Sequence, residues 1–179
     1  EKNITFPTDA KLHNKIIKKC KAIVQQEQLP VRQTYARVLK KLRVDQRFRN
    51  HPKNKFKAKK ADKKVKTIVG RLVRELERNL PPQSKYQKEL ALYNQILAQT
   101  KSSKNKIYSI HEPEVCCISK GKEHNKYEFG NKASFVKTDT GVIVGAMGFR
   151  NEFDGHTLEP ALQQVERLIG KTPKVAKVD

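Results

Sequence analysis

Residues 50–66, NHPKNKFKAKKADKKVK, hold the densest single chemistry in the chain: Lys53, Lys55, Lys57, Lys59, Lys60, Lys63 and Lys64 stand among few apolar neighbours. Ammonium groups packed this closely favour a polyanion, whose phosphates they neutralise while its condensed counterions are released. The run reads as a phosphate-binding segment that either frays from a following helix or loops freely, with a solvated helix face as the plainer alternative. A second basic cluster, KGKEHNKYEFGNK, sets Lys120, Lys122, Lys126 and Lys132 around Gly121 and Tyr127. It suits phosphate contact and a solvated hairpin edge equally well.

Acid and metal chemistry has fewer candidates. Asp179 ends the run KVAKVD as a strand-terminal carboxylate. Asp154 precedes Gly155-His156-Thr157, where a carboxylate favours a helix N-terminus and Thr157 can cap the helix, so both residues are read as structural. Asp9, after Pro7-Thr8, is more simply a helix cap than a catalytic acid. His111, Cys116, Cys117 and His124 invite a zinc reading, but adjacent strand residues point to opposite faces, so Cys116 and Cys117 are poorly placed to grip one ion. The sequence contains no GxGxxG, P-loop, nucleophile elbow or CxxC pattern, which leaves nucleotide-cofactor, acyl-transfer and redox enzymes without support.

Charge organises these candidates. The chain carries 39 Lys and Arg against 18 Asp and Glu, a net charge of +21, with a pI near 10.0. Residues 1–106 hold 29 basic and 8 acidic side chains, whereas residues 107–179 hold 10 of each, so the whole excess lies in the first part. A segregated charge of this size repels itself and calls for an anionic surface to offset it. No apolar run approaches the length of a bilayer, and no signal-peptide succession opens the chain, so no membrane partner is expected. Three cysteines, two of them adjacent, make a poor disulfide framework and fit a reducing cytoplasm.

The periodicity of apolar residues says what must hold these groups. Helical stripes run through Leu12, Ile16, Cys20 and Ile23/Val24 after a Thr8 or Asp9 cap; through Val31, Tyr35, Val38/Leu39 and Leu42; through Ala58, Ala61, Val65, Ile68/Val69, Leu72/Val73 and Leu76; and through Tyr86, Leu90, Tyr93 and Ile96/Leu97. Four amphipathic helices predict a bundle, with Thr100 to Lys106 as a linker. Beyond it the period shifts towards two. Strands are expected over 107–110, 115–119, 127–138 and 141–149, with Asp139-Thr140-Gly141 turning the last two into a hairpin. A helix from Thr157 to Gly170 and a strand over 174–178 complete an α/β arrangement with a mixed sheet and a crossover helix.

The runs KIYSIHEPEVCCISKGKEHNKYEFGNKASFV (106–136), GVIVGAMGFRNEFDGHTLEPALQQVERLIG (141–170) and KVAKVD resemble the catalytic region of bacterial insertion-sequence transposases of the DDE type. The opening NITFPTDAKL is similar to the segment that follows the first catalytic strand in the same proteins, and the likeness is most specific in KGKEHNKYEFGNK and NEFDGHTL. It implies an α/β fold: a partial RNase H-like mixed sheet over 107–179, with the basic all-helical segment 1–106 inserted after the first strand. It also implies an Asp-Asp-Glu triad holding Mg²⁺ or Mn²⁺. Asp179 matches the second Asp and carries over as catalytic and metal-ligating, while the first Asp is expected upstream of Glu1 and the Glu well downstream.

The implied activity is that of a DNA transposase, which binds DNA and catalyses its metal-dependent cleavage and strand transfer. Transposon ends and target DNA are the implied partners, a second copy of the chain is a candidate one, and the location is the bacterial cytoplasm at the nucleoid. The alternative is a non-catalytic basic nucleic-acid-binding protein. A ribosome-associated RNA binder would need exposed aromatic rings, and the seven Phe and five Tyr fall mostly at core-like positions. In-line displacement with two divalent ions needs several converging oxygen ligands, and Asp179 alone maps to the triad. The chain is therefore expected not to nick supercoiled plasmid with Mg²⁺ or Mn²⁺. Metal-dependent nicking that vanished in Asp179→Ala would overturn that expectation, and activity confined to a chain extended at both ends would support the family and the role of Asp179.

Overall fold

The computed structural model describes residues 7–119, 123–124, 126–150 and 152–178. They divide into two compact units, with the division between His111 and Glu112.

The first unit is helical. Helix α1 (Asp9–Gln26) begins where the extended backbone of Thr8 turns its hydroxyl to accept from the Lys11 N–H at 3.3 Å; of the two candidates Thr8 is the cap, and Asp9, in the first turn, pairs with Lys106 instead. Helix α2 (Ala36–Arg47) starts later than its stripe suggests: Val31 lies in the connection, and Tyr35 sits at a left-handed φ of 53° that closes the approach to the helix. Helix α3 (Pro52–Asn79) runs 28 residues, or about 42 Å at 1.5 Å per residue, with proline at its first turn, and stops just before Pro81-Pro82. Helix α4 (Gln87–Ala98) completes the set.

Helix α3 packs against each of the other three, and α1 also packs on α4. The shared core takes Leu12, Ile16, Ile17 and Cys20 from α1, Leu39 and Leu42 from α2, Ala61 to Leu76 at helical spacing from α3, and Leu90, Tyr93 and Ile96 from α4. Tyr93 is fully buried, and its hydroxyl is satisfied by donating to Glu89 Oε2 at 2.8 Å.

Two expectations are corrected here. The lysine-rich residues 50–66 do not loop freely: from Pro52 they form the first half of α3. Ala58, Ala61 and Val65 recur on one face, and all three are buried, so the segment has enough of an apolar stripe to be held as helix. Residues 107–110 are not a strand either. Ile107 is buried in the helical core, where the Gln99 amide accepts from its N–H at 3.0 Å and donates to its carbonyl at 3.2 Å, supplying the pairing a neighbouring strand would give.

The second unit is mixed helix and strand with two small antiparallel sheets. Strand β1 (Cys116–Ser119) pairs with β2 (Tyr127–Gly130), and β3 (Lys132–Lys137) pairs with β4 (Ile143–Phe149). The second pair turns through Thr138–Gly141, where the Gly141 N–H donates to the Thr138 carbonyl at 2.9 Å with Gly141 at φ 86°, a backbone angle that favours glycine. Helix α5 (Leu158–Ile169) lies on the β3–β4 hairpin. It comes so close that a Cβ at Gly145 would stand 3.0 Å from the Val165 side chain, and Gly170 at φ 72° ends it as its sequence suggests.

The expected final strand over 174–178 is not formed, so the described residues contain no parallel pair and no crossover. Phe135 and Ile143 are left exposed on the hairpin. A two-stranded sheet on its own is marginal in water. Amides of β2 to β4 are therefore expected to exchange with solvent far faster than those of Val65 to Leu76 in α3, as native-state hydrogen exchange would read residue by residue. Equal, strong protection in a monomeric sample would contradict this.

Candidate nucleic-acid interface

The charge of the helical unit is carried on the outside of its helices. Residues 7–111 hold 28 Lys and Arg against 7 Asp and Glu. All seven carboxylates are engaged within the unit. Asp9 pairs with Lys106 at 3.0 Å, Glu27 with Lys85 at 3.1 Å, Asp45 with Lys57 at 2.9 Å and Asp62 with Arg49 at 3.0 Å. Glu75 accepts from the Arg32 N–H at 2.7 Å, Glu77 from the Asn94 amide at 2.6 Å and Glu89 from Tyr93. Seven anions cannot neutralise more than a quarter of 28 cations, so the remaining positive field is turned to solvent.

Its geometry follows the helix period. On α3 the buried stripe occupies one side, and Lys53, Lys60, Lys64, Arg71 and Arg78 recur at spacings of four and seven along the other, all exposed. Lys59 and Lys63 flank them, and the Arg74 guanidinium folds back within 3.2 Å of where a Cβ on Gly70 would stand. Arg71, Arg74 and Arg78 were not among the candidates drawn from the lysine run. They continue its face because the helix continues, a signal present in the sequence as i, i+3/i+4 periodicity. Helix α2 exposes Arg37, Lys40, Lys41, Arg43 and Arg47, and α1 exposes Lys11, Lys15 and Lys18 on one face.

Of the sequence-derived lysines, Lys53, Lys55, Lys59, Lys60, Lys63 and Lys64 are exposed on α3, whereas Lys57 is tied to Asp45 of α2. Lys126 is exposed before β2. Lys132 is spent internally: its ammonium donates to the Glu152 carbonyl at 2.6 Å and to Asp154 Oδ1 at 3.0 Å, and its side chain is only 24% exposed. Asp154 opens a 3₁₀ turn over Asp154–His156 and anchors it through Lys132, three residues before the α5 cap position at Thr157. Thr157 does not cap by its side chain. Its backbone is already helical, which turns the hydroxyl back to donate to the Asp154 carbonyl at 2.8 Å. Lys120, Lys122 and Asp179 lie outside the described residues.

Other chemistry finds little footing. A cleft of about 250 Å³ beside the core is lined chiefly by Cys20, Val24, Val31, Thr34, Leu72 and Glu75. Burial pushes the Cys20 thiol up to about 12, so it is no nucleophile, and Glu75 is already bonded to Arg32. Among the described residues no three His, Cys, Asp or Glu side chains converge to hold a metal ion. Divalent-metal chemistry thus finds no ligand set in the described part of the chain. No helix of the described residues is long and apolar enough to cross a membrane. No family model, curated protein or solved structure matches this chain.

The cationic surface also reaches inward. His13 of α1 is buried with no hydrogen-bond partner for Nε2 among the described residues. Burial holds its imidazole below the usual 6.5; nearby Lys66 adds to the effect, while Asp9 and Asp62 oppose it. The unfolded chain then takes up this proton more readily than the folded one, so stability is intact above about pH 6.5 and falls as the pH drops below it. Melting temperature followed from pH 7.5 to 5.5 is expected to decline, and the decline should flatten in His13→Leu. Glu27, held below its ordinary value by Tyr86 and Lys85, titrates in a separate and lower window.

Proposed function

We propose that this chain is a nucleic-acid-binding protein whose helical unit grips phosphates along the outer faces of α1, α2 and α3. The observation that carries this reading is the concentration of the whole +21 in one helical unit whose few carboxylates are all engaged internally. A cationic surface of this kind binds phosphate backbone without regard to sequence and releases counterions as it does so.

More particularly, we take the chain to be part of a DDE transposase. The reading rests on the resemblance of KGKEHNKYEFGNK and NEFDGHTL to that family. On it, the β3–β4 hairpin and α5 belong to an RNase H-like core, Asp179 is one metal-binding carboxylate of the triad, and the helical unit is a basic insertion that contacts DNA. The alternative is a basic nucleic-acid binder without catalysis. Exposed cationic helices serve that role equally well, so the flanking coding DNA separates the two: a strand bearing an Asp before residue 1 and a helix bearing a Glu beyond residue 179 belong to the first reading alone.

Binding to a duplex oligonucleotide is expected to weaken steeply with salt, with a slope in log K against log salt of about −0.9 for each phosphate neutralised. Replacing Lys53, Lys60, Lys64, Arg71 and Arg78 together by Ala should make that slope shallower by roughly 0.9 for each phosphate that is no longer neutralised, while Lys126→Ala and Lys132→Ala change it little. An affinity independent of salt, or unchanged in the fivefold variant, would remove the basis of the proposal.

A further inference from the structure

Two aromatic side chains stand exposed where the charge is densest. Phe48, which closes α2, is 66% exposed, and Phe56, in the second turn of α3, is 80% exposed. Among the described residues of the unit, Tyr86 and Tyr93 are in the core and Tyr35, half-buried, packs against it. An exposed benzyl group forgoes the stabilisation that burial gives, so two on one corner call for a partner.

Their surroundings say what kind. Residues three and four apart share a helix face, so Phe56 stands among Lys53, Lys59 and Lys60, all exposed. Phe48 lies between Arg47 and Arg49, one turn beyond the exposed Val44. Only residues 49–51 separate Phe48 from α3, and the corner is closed by the His51 N–H donating to the Phe48 carbonyl at 3.1 Å, with the Asn54 and Lys55 N–H groups donating to the His51 carbonyl. The ion pairs Lys57–Asp45 and Arg49–Asp62 and the bond from Gln46 to Asp62 at 2.7 Å tie the two helices together beside it. Both rings are therefore carried on a braced support.

An anionic membrane surface and a nucleic-acid strand are the two polyanions such a corner could meet. Interfacial helices insert a broad apolar face several turns long. Here α3 offers only Phe56 among lysines, and α2 only Phe48 with Val44 a turn before it, which falls short of such a face. A nucleic acid uses both components: ammonium groups take phosphates while a flat ring stacks on a base. In an intact duplex the faces of the bases are already covered by one another, so a ring can engage only bases that are unpaired, flipped or unstacked.

We propose that Phe48 and Phe56 form a stacking site for unpaired DNA bases at the α2–α3 corner, with Lys53, Lys59 and Lys60 holding the adjoining phosphates. The inference rests on the nucleic-acid reading above and adds a preference within it, for single-stranded or locally opened DNA over perfect duplex.

The chain contains no tryptophan, so Phe48→Trp and Phe56→Trp each install a single fluorescent indole at the site. Each variant is titrated with oligothymidine, a perfect duplex of equal length, the same duplex with a central mismatched bubble, and vesicles containing phosphatidylserine. Quenching by oligothymidine and by the bubbled duplex, with little from the perfect duplex, is the expected result. The Phe48→Ala/Phe56→Ala variant, checked for an unchanged melting temperature, should lose about tenfold in affinity for oligothymidine at unchanged salt slope while duplex affinity stays within about twofold. Full oligothymidine affinity in that variant, equal quenching by perfect duplex, or a larger response to vesicles than to DNA would overturn the stacking site while leaving salt-dependent duplex binding to stand or fall separately. Absence of salt-dependent binding to any DNA by the unaltered chain would overturn both.

Discussion

Seven carboxylates among 28 cations is the constraint from which most of the helical unit follows. The acids are too few to balance the charge, and they are used to join elements. Asp45 and Asp62 bind α2 to α3 through Lys57, Arg49 and Gln46. Glu27 joins the end of α1 to Lys85 and Tyr86 ahead of α4, and Asp9 ties the start of α1 to Lys106 and Gln99. Exposed ion pairs contribute little to stability individually, and the apolar core around α3 supplies most of it. The positions of the acids nonetheless leave rows of exposed Lys and Arg along the helices, and the unit therefore carries a strong positive field.

The second unit is built differently. Its 10 basic and 10 acidic side chains over 107–179 balance, and two of its basic groups serve architecture: Lys132 clamps the turn at Asp154, and Arg150 pairs with Glu114. Helix α5 commits Ala161 and Val165 to the hairpin and leaves Leu168 and Ile169 exposed. Two separate strand pairs and one helix bury a small core, and the close approach at Gly145, reinforced by the Gln164 amide donating to the Ala146 carbonyl at 3.0 Å, brings helix and hairpin together.

The two aromatic residues at the α2–α3 corner show how position within a helix decides a side chain's use. Phe56 shares α3 with Val65, Val69 and Leu76, yet it falls on the face turned away from them and stands in solvent. Placing most Phe and Tyr at core-like positions held for Tyr86 and Tyr93 but not for Phe48 and Phe56. The sequence offers the discriminating signal in the spacing from Phe56 to Ala58 and Ala61, which does not place it on the same stripe.

The residues by themselves determined the number and order of the helices, a cap at Thr8 or Asp9, the Gly141 hairpin turn, the Gly170 stop and the segregation of charge. Each of these depends on neighbours within a turn or two of chain, or on composition alone. Tertiary structure decided the rest. Residues 52–66 are held as helix where α2 and α1 pack on α3 and Ala58, Ala61 and Val65 are buried, neighbours that local propensity does not contain. Ile107 joins the helical core because Gln99 supplies its backbone bonds. Lys57 and Lys132 look identical to their neighbours in the sequence, and only the approach of Asp45 and Asp154 from other elements pairs them, drawing Lys132 in to 24% exposure while Lys57 stays exposed beside its partner, since an ion pair is a matter of distance in space.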